Sequence, residues 1–136
     1  MKHLKRGLFL LLIAAVAFTA FSLRLRAVER LPIDYDEDDY LTAGQHYSQA
    51  LLDGDWGEIT AYRYNYEHPA LVKLLYGAVL TRLPQVEEVR IVPTDAPPAL
   101  TLPREPLNAL RMTSAVLGTL EAVFLGLLNP LGGLLL

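Results

Sequence analysis

Seventeen consecutive residues near the start of the chain, residues 7–23 (GLFLLLIAAVAFTAFSL), carry no charge. As helix they cover about 25 Å at about 1.5 Å per residue, just under a hydrocarbon core of about 30 Å. The helix can run on through Leu25, Ala27 and Val28, because Arg24 and Arg26 have stems long enough to carry their charges to the interface. The competing reading is a cleaved signal peptide, with Met1 to Arg6 as the basic region and Ala15-Val16-Ala17 as an A-x-A site. The apolar run does not stop at Ala17, which favours an uncleaved span over residues 7–28. Composition agrees: 52% of the residues are hydrophobic, 20% are charged, and the mean hydropathy is +0.27, a value that soluble domains with their polar surfaces rarely reach.

A second apolar stretch, residues 112–128 (MTSAVLGTLEAVFLGLL), is rich in small residues that let membrane helices approach closely. It is read with its flank as a second span over residues 107–128. Its one acid, Glu121, is costly against lipid and is expected to face other helices. Residues 129–136 (NPLGGLLL) look like the opening of a third span, so the sequence is expected to be the N-terminal part of a larger polytopic protein. Residues 1–6 carry Lys2, Lys5 and Arg6 and no acid, whereas residues 24 to 105 hold eight Lys/Arg against fourteen Asp/Glu. Positive charge favours the cytoplasmic side, which places residues 1–6 inside and the loop 29–106 outside, in a multi-pass protein of the plasma membrane. The expected fold is mainly α, a polytopic membrane protein fragment whose two transmembrane helices are joined by a long external loop with two juxtamembrane helices.

Other classes fall away. There is no cysteine for a disulfide, a thiolate nucleophile or a Cys-based metal site. The net charge of -3 gives no basic footprint for nucleic acid, and no Gly-rich phosphate loop is present.

Within the loop, residues 34–53 (DYDEDDYLTAGQHYSQALLD) read as an acidic lead into a helix. Asp38 or Asp39 serves as the cap, Tyr40, Ala43, Tyr47, Ala50 and Leu51 recur at helical spacing, and Gly54 is the stop. The EF-hand pattern fails, because the sixth loop position is Asp39 rather than Gly and the twelfth is Gln45 rather than Glu. Clustered carboxylates outside a membrane helix raise one another's pKa and make a candidate general base or cation site. Trp56, Tyr62, Tyr64 and Tyr66 then form an interfacial belt, a short strand, or a platform for a sugar ring or lipid head. From Pro69, read as a first helical residue, an apolar helix is expected to run to Leu83. It is too short to span, and Leu71, Leu74, Leu75, Ala78 and Val79 form a broad apolar face suited to the membrane surface. Residues 84–106 contain six prolines and read as extended loop with one strand at residues 89–92.

The order of these parts resembles a known family. One span is followed by D-E-x-x-Y (Asp36 to Tyr40), a G-x-W turn at Gly54 and Trp56, E-H-P-x-L-x-K (Glu67 to Lys73), and R-x-x-S-x-x-x-G (Arg111, Ser114, Gly118) entering the second span. The arrangement is similar to the lipid-carrier-dependent glycosyltransferases of the C-type superfamily, among them the protein O-mannosyltransferases of family 39 and the lipid A aminoarabinose transferases, and it covers most of residues 1–128. Where the family pattern usually has a second proline this chain has Ala70, and where the lipid A branch has lysine it has His68, which argues against that branch. The resemblance implies an inverting transfer from a polyprenyl-phosphate sugar donor to a protein or glycan hydroxyl acceptor. Asp36 would be the general base, and Glu37 would orient the acceptor or a cation. Tyr40, Glu67, His68, Lys73 and Arg111 are the candidate substrate-binding residues, with His68 and Lys73 ordering the loop or meeting the donor phosphate. A snorkelling anchor is the simpler role for Arg111. No cofactor is implied beyond an optional divalent cation, and no metal ligand set is assigned. Two other classes fit the same sequence: a non-enzymatic membrane anchor or assembly subunit with an acidic external loop, and a secreted carbohydrate-binding protein.

Overall fold

The computed structural model describes residues 2–34, 36–64, 69–84 and 102–128. Among these described residues five helices follow one another: α1 (Lys2–Arg30), α2 (Glu37–Asp53), α3 (Trp56–Ala61), α4 (Ala70–Leu80) and α5 (Arg104–Leu128). They divide between two compact units, Met1–Arg30 with Ser114–Leu136, and Leu31–Thr113. The expected strand at residues 89–92 and the third apolar start at residues 129–136 lie outside the described residues.

Among the described residues α1 and α5 are the two helices long and apolar enough to cross a membrane, and α5 belongs to the first unit from Ser114 on. The readings 7–28 and 107–128 fall inside longer helices, since nothing in the flanks stops helix formation. Most of their apolar surface is exposed, with Leu8, Leu11, Phe18, Phe124 and Leu125 among the most open side chains. Such surface is stable only against lipid or other helices. Gly126 lies where a Cβ would meet the Ile13 Cδ1 at 2.6 Å, and Gly118 where a Cβ would meet the Arg24 Nε at 2.8 Å. The two pairings run in opposite order along the chain, so the helices are antiparallel. Arg24 does not reach outward along the helix as expected. Its Nη1 donates to the Ala20 carbonyl at 3.3 Å, one turn back toward the N-terminus of α1. Glu121, expected to face other helices, is exposed on the flank of this pair.

The second unit is built on α2 packed against α4. Gly77 permits the close approach: a Cβ there would lie 2.6 Å from the Tyr47 Cβ and 3.0 Å from the Ser48 backbone N. Gly44 stands opposite Leu80 and Tyr76, where its own Cβ would meet atoms at 3.1 and 3.3 Å. Around this crossing Leu41, Tyr76, Leu80, Leu102, Leu107 and Leu110 form a buried core, with Ile33, Tyr40, Val72, Leu83 and Ala109 packed against it.

Three local expectations are corrected. The N-cap of α2 is Asp36, not Asp38 or Asp39, and its carbonyl accepts the first helical bond from the Tyr40 N–H at 3.2 Å. Residues 56–61 form the short helix α3, because Asp55 caps it by accepting from the Glu58 N–H at 3.0 Å, and Tyr62 to Tyr64, where the strand alternative would begin, are not in a strand. Pro69 is the N-cap of α4 rather than its first residue, and the helix ends at Leu80, where Thr81, Arg82 and Leu83 continue in tight turns. Gly54 stops α2 as expected, in the left-handed conformation at φ 69°.

Candidate functional site

The acidic motif sits at the N-terminus of α2, where unpaired backbone N–H groups favour negative charge. Within it, neighbouring carboxylates have different surroundings. Asp36 is exposed, and its side chain makes no capping hydrogen bond. Glu37 is gripped from two directions. Arg111 donates from Nε to Oε1 and from Nη2 to Oε2, both at 2.6 Å, and the Asp34 N–H donates to Oε2 at 2.9 Å. The same guanidinium donates to the carbonyls of Leu31, at 3.0 Å, and Pro32, at 2.8 Å. A planar fork of donors matches a carboxylate in this way, which an ammonium does not. Arg111 therefore ties Leu31, Pro32 and Glu37 to α5, and its snorkelling role gives way to a bidentate pairing that is about four-fifths buried on both sides.

Asp39 points elsewhere in the unit. It accepts a hydrogen bond from the Tyr64 hydroxyl, and that bond pushes the Tyr64 phenol up to about 12, helped by burial and by the nearby Asp38 charge. Tyr40 packs edge-on against Tyr76 with ring centres 5.9 Å apart. Its phenol is raised by burial, then by Tyr76 and Asp36. Lys73 is only 2% exposed, and its ammonium donates to the Tyr64 carbonyl at 3.2 Å.

Among the described residues of the aromatic segment, Tyr62 and Tyr64 are tilted 44° to one another rather than coplanar. Tyr62 stacks on His46, with ring centres 3.8 Å apart and planes 13° from parallel, and meets Tyr47 edge-on at 5.2 Å. The His46 Nε2 lies 3.5 Å from a Glu58 carboxylate oxygen. Trp56 stands apart, 68% exposed on α3.

Asp36, Glu37 and Arg111 thus come together at one end of α2. Tyr40 is on the same helix, and Lys73 joins through Tyr64 and Asp39. Glu67, His68 and Tyr66 lie outside the described residues. Among the described residues no three His, Asp or Glu side chains are grouped to hold a metal ion. The pairing of Glu37 with Arg111 and the bond between Tyr64 and Asp39 join residues 74 and 25 positions apart, and no local spacing signals them. What the site can do chemically is present the exposed carboxylates of Asp34 and Asp36 beside a Glu37 that Arg111 holds. Compared with known protein families, curated proteins and solved structures, the chain finds no match.

Proposed function

We propose that this chain carries the acceptor-activating part of an integral membrane glycosyltransferase. That enzyme moves a sugar from a polyprenyl phosphate to a hydroxyl outside the cytoplasm, with inversion at the anomeric carbon. Asp36 is the general base. It takes the acceptor's proton as the oxygen attacks the anomeric carbon, while the polyprenyl phosphate leaves with the bonding electrons. Such a base must come within about 3 Å of the hydroxyl.

The observation that supports this reading is the division of labour inside the acidic motif. Arg111 and the Asp34 N–H engage both oxygens of Glu37, while the adjacent Asp36 is exposed and uncapped. A carboxylate with a merely capping role would be expected to bond the first-turn N–H groups. Glu37, on this reading, positions Asp36 rather than touching the acceptor.

The test is Asp36→Asn at the native locus, with membranes assayed under single-turnover conditions using saturating polyprenyl-phosphate mannose. Shape is kept and basicity is lost, so the rate falls by about 100-fold or more while donor binding changes little. Asp34→Asn does much less. A near-normal rate for Asp36→Asn removes it as the base. Loss in Asp34→Asn, or in variants of Asp38 or Asp39, instead moves the role to another carboxylate.

A further inference from the structure

We infer that Arg24 and Glu121 form an ion pair within the hydrocarbon layer that locks α1 to α5; the inference rests on the reading that both helices cross the bilayer. Residues 7–28 and 112–128 together contain one acid, Glu121, and two bases, Arg24 and Arg26. Arg26 is exposed and lies about 200° around α1 from Arg24, on another face. Arg24 is half-buried against α5, and among the described residues its one hydrogen bond goes to the Ala20 carbonyl. Most of the five donors of a guanidinium thus lack an acceptor. Ala20 lies roughly 15 Å inside the C-terminal end of α1, so the group is turned into the helix pair and away from the interface.

The partner follows from helix geometry. The guanidinium crosses α5 at Gly118, with Nε, Nη2 and Cζ at 2.8, 3.2 and 3.3 Å from the position a Cβ would take. Glu121 is three residues further along α5, about 5–6 Å away between Cβ positions. Side chains lean toward the N-terminus of their own helix. On antiparallel helices Arg24 therefore leans toward the level of Ala20, and Glu121 toward the level of Gly118, so the two converge. Glu121 is exposed and makes no ion pair among the described residues, and on this inference its carboxylate turns to the guanidinium. Water leaves it free to stay apart. In lipid an unpaired charge on each helix is costly, and pairing is the available relief. Gly118 has its reason here too, since any side chain at that position would displace the guanidinium.

The test uses the full chain in the membranes of expressing cells, with Arg24→Gln, Glu121→Gln, both together, and the reversed pair Arg24→Glu with Glu121→Arg. In mild detergent each single neutral change is expected to lower the midpoint of thermal aggregation by about 3–6 °C. The double neutral variant falls no further than either single one, and the reversed pair recovers most of the loss. Additive losses, or a reversed pair as labile as the single variants, overturn the ion pair. Restoration only when Arg24→Glu and Glu121→Arg chains are expressed together overturns it in favour of a contact between copies. Release of the unaltered chain by alkaline carbonate overturns the membrane reading itself, whereas retention with additive losses overturns the pair alone.

Discussion

Arg111 holds four acceptors at once: both oxygens of Glu37 and the carbonyls of Leu31 and Pro32. Removing it leaves a largely buried carboxylate without its counter-charge, a more serious loss than the pair's own net worth. Arg111→Ala is therefore expected to cost roughly 3 kcal/mol of stability. Arg111→Lys should recover less than half of that, because an ammonium cannot match the fork. Denaturant titration of the detergent-solubilised protein measures both, and a Lys variant as stable as the original would show that the fork is not what matters. Tyr64 gives a pH prediction. Its hydrogen bond to Asp39 favours the neutral phenol and raises it from 10.0 to about 12. The fold then holds a proton that the unfolded chain has released, so the contribution to stability is complete below pH 10 and is lost as pH rises toward about 12. In a phenolate absorbance titration Tyr64→Phe removes a late-titrating phenol; loss of an early one would place the raised group elsewhere.

At the scale of helices, the close crossing of α2 and α4 depends on one missing side chain. A Cβ on Gly77 would press on the backbone of residues 47 and 48, which a helix cannot move locally, so Gly77→Ala should cost about 1–3 kcal/mol. Gly44→Ala meets mainly the mobile end of Leu80 and should cost under about 1 kcal/mol. Gly54→Ala has open space but a strained φ, and should cost about 1 kcal/mol. Thermal midpoints rank the three, and equal losses at Gly77 and Gly44 would mean that the helices meet elsewhere. These helices were largely legible in the sequence, because α2 and α4 have apolar residues at helical spacing and α2 ends at a glycine. The face of α4 that packs inward was not. Leu71, Leu74, Leu75, Ala78 and Val79 are the more apolar set, yet Lys73, Tyr76, Gly77 and Leu80 are the buried ones. Hydrophobicity identified a face, while close approach at Gly77 and the lysine's carbonyl bond decided which one turned inward. The short helix α3 escaped for a related reason: six residues carry too little period, and only the Asp55 cap marks it.

For the molecule as a whole, the two long apolar helices were evident from composition alone, whereas the clasp between Glu37 and Arg111 was not, because residues 74 apart are joined by the fold and not by any local pattern. Both residues stood out in the sequence, each with a separate role, and the structure makes them partners. Sidedness is the property on which every functional statement depends, and it rests on charge. Three basic residues and no acid precede the first apolar run, while the segment between the runs is strongly acidic. If residues 1–6 lie in the cytoplasm, the second unit lies outside it. Reporter positions must be exposed to be read: Ser48 is fully buried and would stay silent on either side, whereas Asp53 and Thr60 are exposed on the second unit and His3 is exposed near the start of α1. Cysteines placed singly at Asp53 and Thr60 in this cysteine-free chain should react with an impermeant maleimide added to intact cells. His3→Cys should react only after the membrane is opened. The reverse pattern would put the acidic motif in the cytoplasm, on the wrong side for an acceptor outside the cell, and would remove Asp36 from the role proposed for it even if Asp36→Asn proved deleterious. Labelling of all three positions in intact cells would show that the chain does not separate its two ends by a bilayer at all. The cysteine scan therefore comes before the catalytic variants, since it alone decides whether a lost activity at Asp36 can be read as loss of a base.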